Sequence, residues 1–230
     1  IKIAKTSMQS KLVSEDSVPL SKLVVDAILK IVEKDGDAHS VDLDNLKVEK
    51  KSGGSITDTA LINGIVLDKE IVHSGMPTKI ENARIALVNA ALEVEKTEMS
   101  AEIRISDPTQ MQQFLEEENN MLRSMVDKIH SIGANVLICQ KGIDDIAQHY
   151  LSKHGILSVR RVKESDMTKL AKASGGRIST NLDDISTNDL GSAEIVQQKK
   201  VESDKWVFIE GCQNPRSVTI LIRGGSQRVV

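Results

Sequence analysis

The sequence predicts an α/β fold in which helices and strands alternate through the second half of the chain. From residue 107 onward the hydrophobic pattern runs helix, strand, helix, strand, helix, which is typical of βα units on a mostly parallel sheet. Three further strand-like runs follow, at residues 194–201, 205–210 and 217–222. We therefore expect a mostly parallel sheet with some antiparallel pairing at the end of the chain.

The βα region has well-marked helix boundaries. Asp107 and Pro108 form a strong helix start, because a capping side chain precedes a proline whose missing N–H costs nothing in the first turn. Gly155 closes the second predicted helix, and Gly175 with Gly176 stops the third. The predicted helices cover residues 108–132, 143–154 and 163–174, and the predicted strands cover 134–139 and 157–162.

The first 40 or so residues are predicted to be mainly helical. Apolar residues recur at helical spacing over residues 1–13 and more strongly over 19–33, with Ser17 as N-cap and Pro19 near the first helical position. Residues 35–37, with the sequence Asp-Gly-Asp, have turn chemistry. The second of these helices is therefore expected to end there.

The segment that follows is predicted to be rich in strands. Residues 46–50 alternate apolar and polar like a half-buried strand, and residues 51–55 are the best candidate for a linker. Residues 60–67 and 83–94 are apolar runs bounded by Gly, Pro and Asn. Helix remains an open alternative for residues 83–94.

Composition excludes several classes of protein. The 230 residues are 40% hydrophobic and 27% charged, enough to bury a core and too polar for a membrane protein. The net charge of -3 disfavours nucleic acid and anionic membranes as partners. Because no apolar run approaches the roughly 18 residues of a membrane span, we expect a cytoplasmic protein. Both termini look cut from something longer.

No motif for catalysis, nucleotide binding or metal binding stands out. Glycine pairs at 53, 175 and 224 match neither a phosphate loop nor a dinucleotide fingerprint. Cys139 and Cys212 lie in apolar runs, where a reduced thiol behaves as a small hydrophobe. The five histidines have no metal-binding spacing. We expect no catalytic residue, no metal site and no cofactor in this chain.

The long helix predicted from Pro108 carries the most functional information. Met111, Phe114 and Leu115 form one apolar patch, and a second apolar stripe begins at Met121. Residues 116–120 between them are polar on every face, which a helix packed along one core should not be. Either the N-terminal half projects from the domain and presents its patch to a partner, or the break is a solvated bend and the patch folds back.

Several segments resemble the substrate-facing apical domain of group II chaperonins, the family of the archaeal thermosome and the eukaryotic cytosolic chaperonin. The strongest resemblance is the run Gln-Lys-Gly-Ile-Asp-Asp-Ile-Ala-Gln-His-Tyr-Leu at residues 140–151, followed by Val-Arg-Arg-Val-Lys at 159–163. Residues 64–69 and 105–108 add to it, and Leu-Ile-Arg-Gly-Gly at 221–225 resembles the return to the family's intermediate domain. The similarity runs essentially from end to end.

The resemblance implies a fragment of a molecular chaperone subunit with three domains. Residues 1–63 and 217–230 would be the two segments of a small α/β intermediate domain. Residues 64–216 would be the apical domain, a mixed β sandwich flanked by helices, with a helical protrusion at about 100–120 that acts as a built-in lid. The equatorial domain, which binds ATP and magnesium and builds the double ring, is absent, so we expect no ATP hydrolysis from this fragment.

The resemblance also supplies candidate contacts with unfolded polypeptide and with the lid. Five apolar residues fall on or near the protrusion: Ile103, Ile105, Met111, Phe114 and Leu115. Six more fall on the lower half of that helix and on the next helix, which would face the central cavity: Met121, Met125, Ile146, His149, Tyr150 and Lys153. Methionine suits such a surface because its thioether adapts to many partners. For Met125 and Ile146, burial in the core remains an alternative.

Two other classes of function remain open at this point. The architecture alone allows an α/β enzyme with a ligand at the strand ends, although no nucleophile, base or phosphate loop supports it. A regulatory module that uses the projecting helix to bind one specific partner is harder to exclude. Selectivity separates that module from a chaperone, which binds many unfolded chains and few native ones.

Overall fold

The computed structural model describes residues 1–36, 38–94, 108–212 and 217–230, and they form five α-helices and twelve β-strands. The helices are α1 (Lys2–Met8), α2 (Ser17–Ile31), α3 (Pro108–Ser131), α4 (Asp145–Lys153) and α5 (Glu164–Ser174). The first six strands are β1 (Val32–Asp35), β2 (Ala38–Val41), β3 (Leu46–Ser52), β4 (Ala60–Ile62), β5 (Gly64–Leu67) and β6 (Lys79–Val88). The others are β7 (Val136–Cys139), β8 (Leu157–Val159), β9 (Ile178–Ser179), β10 (Gly191–Val201), β11 (Asp204–Cys212) and β12 (Val218–Gly224).

A seven-stranded mixed sheet organises most of the chain. Six strands lie in the order β5, β11, β10, β6, β7, β8, and β9 pairs with the end of β6. Strands β5, β11, β10 and β6 pair antiparallel, whereas β7, β8 and β9 run parallel to β6 or to each other. The predicted α/β class and the antiparallel pairing late in the chain are therefore confirmed, but the sheet is mixed rather than mostly parallel, because β5, β11, β10 and the first part of β6 pair antiparallel.

The two faces of this sheet carry different helices because side chains alternate along each strand. In β6, Ile85 and Leu87 join a core cluster with Leu170 of α5, whereas Ala86 and Val88 join a second cluster on the opposite face. That second cluster contains the buried stripe of α3 and the inner side of α4. Helices α3 and α4 thus share one face, and α5 covers the other.

A separate three-stranded sheet joins the two ends of the chain. Strand β12 lies between β3, to which it is parallel, and β4, to which it is antiparallel. Helix α2 covers one face, where Ala27 and Ile31 are buried with Val218 and Ile220. The amphipathic pattern predicted for this helix is therefore confirmed, and its buried stripe holds the sheet through apolar contact.

A buried ion cluster connects the three-stranded sheet to the larger one. The ammonium group of Lys47 on β3 lies 2.8 Å from Asp166 on α5 and 2.9 Å from Glu49, and donates a 2.6 Å hydrogen bond to the backbone oxygen of Val66 on β5. Nearby, the hydroxyl of Thr219 donates to the backbone oxygen of Gly64 at 2.8 Å. Polar groups, rather than apolar packing alone, therefore fix this junction.

Several predicted boundaries in the first 55 residues are wrong. The segment 51–55 is not a linker: β3 runs through Ser52, and the N–H of Gly53 donates to the backbone oxygen of Gly224 at 2.8 Å. Ser55 then caps a short 3-10 helix. Helix α2 ends at Ile31 and gives way to the hairpin of β1 and β2, which the sequence did not indicate.

Two further predicted elements extend beyond the ends of the observed ones. Helix α1 stops at Met8 and buries none of its residues, whereas helical spacing predicted a helix to residue 13. The apolar run 83–94 is strand, as favoured over helix, but the strand ends at Val88. Strand β6 also begins four residues earlier than that run, at Lys79, because its polar first half pairs with β10.

Candidate binding surface on helices α3 and α4

Helix α3 packs on the sheet through its C-terminal half only. Leu122, Val126 and Ile129 are buried in the core, as their spacing along one face of a helix requires. In the N-terminal half, Phe114 is 48% exposed and Leu115 is 53% exposed. The described part of this half therefore leaves its apolar side chains in solvent, and they do not fold back into a core.

The other three predicted lid residues lie wholly or partly outside the described residues. Ile103 and Ile105 lie outside the described residues, and so does the side chain of Met111, whose backbone belongs to α3. Asp107, the predicted helix cap, also lies outside them. The start of the described helix at Pro108 agrees with the predicted position.

Helix α4 has one side buried against the sheet and an outer side that carries both polar and apolar residues. Asp144 caps its start by accepting a 2.8 Å hydrogen bond from the N–H of Ile146. Ala147 and Leu151 are buried on the sheet, and the buried amide of Gln148 donates to the backbone oxygen of Ile143 at 2.8 Å. The buried amide of Gln148 is therefore satisfied, and the outer side of α4 faces solvent.

The outer side of α4 brings four of the predicted contact residues together. Ile146 is 40% exposed, His149 and Lys153 are exposed, and Tyr150 is half-buried at the edge of the core. The ammonium group of Lys153 lies 5.8 Å from the centroid of the Tyr150 ring, in range for a cation–π contact. This side combines apolar, aromatic and cationic groups within two turns of helix.

His73 belongs to the same surface, although the sequence analysis did not single it out. Its ring lies edge-on to that of His149, with the centroids 6.3 Å apart. Its Nδ1 accepts a 3.0 Å hydrogen bond from the N–H of Gly75, which fixes the loop between β5 and β6 beside α4. No periodic pattern marks this residue, because the contact joins segments about 75 positions apart in the sequence.

The two methionines lie on the lower half of α3, as predicted, beside residues 180–183 and not beside α4. Met121 is 45% exposed and Met125 is half-buried, so for Met125 the alternative of a core position is partly correct. Both line a groove between α3 and residues 180–183, on the flank of α3 turned away from α4. The candidate residues therefore form two surfaces, one on α4 and one on α3.

The flank of α3 that meets α4 is held by charged and aromatic groups. Nε2 of His154, at the end of α4, lies 3.2 Å from the carboxylate of Asp127 on α3. The rings of His154 and His130 lie 4.3 Å apart between centroids. Arg123 adds a second, longer ion pair to Asp127 at 3.7 Å. The two contacts of His154 link the C-terminal ends of the two helices, whereas the pair of Arg123 with Asp127 lies within α3.

Neither cysteine is placed for covalent chemistry. Burial raises the pKa of the Cys139 thiol to about 11, and the thiol donates to the backbone oxygen of Ala90 at 3.2 Å. Burial likewise raises the pKa of Cys212 to about 11. Since the thiolate is the nucleophile, both groups are inert near neutral pH. Among the described residues, no group of three His, Cys, Asp or Glu side chains could hold a metal ion.

The structure also bears on membrane association. No helix in the described ranges is both long enough and apolar enough to span a bilayer. Helix α3, which is the longest at 24 residues, has charged or amide side chains throughout its middle turns.

Comparison with known proteins gives matches along the whole chain. The family model described as the TCP-1/cpn60 chaperonin family matches residues 1–230. Thermosome subunit beta of Thermococcus kodakarensis is 57% identical over 229 residues, and thermosome subunit beta of Saccharolobus shibatae is 59% identical over 229 residues. Each match covers 100% of this chain and 42% of the relative. The chain thus spans about two fifths of the length of these curated relatives.

A solved structure shares the fold. The open-state monomer of a group II chaperonin from Methanococcoides burtonii superimposes with a TM-score of 0.82 at 41% sequence identity, covering 100% of this chain and 51% of that one. The similarity therefore holds for the arrangement of sheets and helices as well as for the sequence. The chain belongs to the TCP-1/cpn60 chaperonin family and corresponds to part of a group II chaperonin subunit of the thermosome type.

Proposed function

We propose that this chain is the part of a chaperonin subunit that binds unfolded or partly folded polypeptide. The observation that carries the proposal is the outer side of α4, where Ile146, His149 and Lys153 are exposed while the opposite side is fixed in the core. An exposed surface with apolar, aromatic and cationic groups on a rigid helix can bind many different extended chains. The membership of the chain in the chaperonin family also supports this binding role.

The division into domains is part of the proposal. Residues 64–216 would form the apical domain, and residues 1–63 and 217–230 would belong to the intermediate domain. In support, β3 and β4 from the first segment pair with β12 from the last, and α2 covers them. The junction with the larger sheet runs through the buried Lys47 cluster.

The N-terminal half of α3 would contribute to a lid over the folding chamber. Phe114 and Leu115 support this role because they are about half exposed on a part of the helix that lies beyond the core. Ile103, Ile105 and Met111 remain proposed members of the same lid surface. Apolar side chains kept in water in this way suggest a surface that is covered in another state of the assembly.

ATP binding and hydrolysis would belong to the part of the relatives outside the match, which is more than half of their length. That part would bind ATP with magnesium and build the double ring with other subunits. The chain in hand would act through binding alone, without a catalytic residue of its own, in the cytoplasm of an archaeal cell. Neither nucleic acid nor a membrane is a partner in this proposal.

A matched pair of variants tests the binding role of α4. Ile146→Ser removes a 40% exposed aliphatic side chain from α4, and Val48→Ser removes a 46% exposed one from β3. We expect Ile146→Ser to reduce suppression of the aggregation of a chemically unfolded protein several-fold, and Val48→Ser to leave it unchanged. Equal effects of the two variants would show that general surface hydrophobicity, not α4, is responsible.

A further inference from the structure

The groove on the outer flank of α3 is a separate feature of the surface. It has a volume of about 510 Å³ and lies between α3, residues 180–183 and the chain just after β6. Its α3 side is formed by residues at helical spacing, which are Glu117, Asn120, Met121, Ser124, Met125 and Lys128. The ion pair between Lys128 and Asp183 closes one end. A groove of this size can hold several residues of an extended peptide.

The topology of the sheet explains why a groove forms there. From β6 the chain passes through α3 to β7 and through α4 to β8, always moving to the same side. It then returns through α5, on the other face, to β9 on the opposite side of β6. In open α/β sheets, a crevice for ligands opens beyond the carboxyl ends of the strands where the winding reverses. Ala90 after β6 and Thr180 after β9 line the groove at that point.

The polar side chains along the groove are available to a ligand. Asn120 and Ser124 are exposed, and they form no hydrogen bond with another described side chain or backbone group. Beside this polar row, Met121 and Met125 form an apolar strip one turn apart on α3. The arrangement offers hydrogen bonds to a peptide backbone and apolar contact to a side chain projecting from it.

The charge of the groove favours a cationic ligand. Lys128 and Asp183 neutralise each other, which leaves Glu117 as the lining charge without a partner among the described residues. Glu116 and Glu118 are exposed beside it on α3 and add to the negative potential. A segment with both apolar and basic residues complements these features better than an acidic one.

We propose that this groove binds an extended polypeptide segment in which apolar residues alternate with Lys or Arg. An apolar side chain lies on Met121 and Met125, the peptide backbone bonds to Asn120 and Ser124, and a basic side chain pairs with Glu117. This inference rests on the proposed function and adds to it a second subsite, distinct from α4. It gives the chaperone surface a preference for basic, apolar segments.

Fluorescence anisotropy with two labelled octapeptides tests the proposal. One peptide alternates Leu with Lys, and the other alternates Leu with Glu. The first should bind the wild-type chain more tightly than the second. Glu117→Lys should weaken binding of the Lys peptide about fivefold to tenfold, because an attraction between exposed charges becomes a repulsion. Ser124→Trp, which fills the groove from an exposed position, should weaken it at least as much.

Glu116→Lys is the matched control, since it makes the same change of charge one residue away and outside the groove lining. It should weaken binding of the Lys peptide clearly less than Glu117→Lys does, because it lowers the general negative potential but removes no group that lines the groove. Circular dichroism and melting curves for all variants exclude unfolding as the cause. Equal weakening by Glu116→Lys and Glu117→Lys, or no weakening by Ser124→Trp, overturns the groove assignment. A wild-type dimer that Ser124→Trp dissociates also overturns it, because the occupant is then a second copy.

Different experimental results would refute the groove proposal and the proposed function of the α4 surface. If Ile146→Ser weakens capture of unfolded protein but the groove variants leave peptide binding unchanged, only the groove assignment is wrong. If the wild-type chain captures no unfolded protein, yet binds the Lys peptide in a manner that depends on Glu117, the proposed function is wrong and the groove assignment stands.

Discussion

The buried cluster around Lys47 allows a quantitative prediction about the junction of the two sheets. The side chain of Lys47 is 7% exposed, and those of Asp166 and Glu49 are 12% and 20% exposed. Replacing Lys47 with Met keeps the volume and removes the cation, which leaves two carboxylates close together without their partner. Removing one member of a buried ion pair typically costs 3 to 5 kcal/mol.

The partial exposure of the two carboxylates places the expected loss for Lys47→Met near the lower end, at about 3 kcal/mol. Asp166→Asn should cost less, about 1.5 kcal/mol, because Lys47 keeps Glu49 and the backbone oxygen of Val66. The double variant should cost about 2 kcal/mol rather than the additive sum, since it leaves only Glu49 without its cationic partner, whereas Lys47→Met alone leaves two carboxylates unpaired.

Urea unfolding of the four proteins gives the free energies of unfolding, and the melting temperatures should follow them. For a domain of this size, a loss of 3 kcal/mol corresponds to a fall of about 6 to 12 °C. A loss below 1 kcal/mol for Lys47→Met would refute the reasoning. Strict additivity in the double variant would also refute it, because the two groups would then not be coupled.

Three further predictions concern the lid, the thiols and one glycine. Replacing Phe114 and Leu115 with Ser should change the free energy of unfolding by no more than about 1 kcal/mol in total, yet weaken capture of unfolded protein. Iodoacetamide should alkylate Cys139 in the native chain far more slowly than in urea at pH 8. The free energy of unfolding should also fall as the pH rises from about 9 to 11, because the pKa near 11 in the native state keeps Cys139 protonated after the unfolded thiol has ionised. Gly64→Ala should cost about 4 kcal/mol, since an added Cβ collides with the backbone oxygen of Ile209 at a φ of +148°, and Gly155→Ala only about 1 to 2 kcal/mol.

Each of these three predictions has a control variant or a result that would contradict it. Leu122→Ala, in the buried half of α3, should cost 2 to 5 kcal/mol and shows what a core position would do. A comparable loss from the Phe114 and Leu115 variant would mean that this patch is core. Equal alkylation rates in native and unfolded chains would contradict the burial of Cys139. Gly155 has positive φ but open space around its Cα, so similar costs for the two glycine variants would contradict the steric argument.

The sequence predicted well where local signals determine the structure. Pro108 begins α3, Gly155 follows the end of α4, and Gly175 is the left-handed cap of α5. In each case proline or glycine chemistry acts on its own immediate backbone. The three late strands were found for a similar reason, since their apolar runs are bounded by polar turns.

Strand pairing between segments that are distant in the sequence could not be predicted from local sequence patterns. Gly53 looks like linker in sequence, but it is paired with Gly224 because β3 follows β12 for its full length. Contacts between distant segments also limited the prediction of the candidate site. The resemblance to group II chaperonins supplied the candidate residues on the outer side of α4, whereas His73 and the groove beside α3 depend on where β5, β6 and β9 lie in the sheet. No periodic pattern encodes that order.

Site-specific photocrosslinking would test most directly whether α4 is the surface that binds unfolded chains. A benzoylphenylalanine at position 146, on the outer side of α4, should crosslink to reduced, carboxymethylated lactalbumin and not to the native, disulfide-bonded form. The same group at Thr168, exposed on α5 across the sheet, should crosslink to neither. Equal crosslinking from both positions, or equal crosslinking to unfolded and native lactalbumin, would contradict the assignment of α4 as the polypeptide-binding surface.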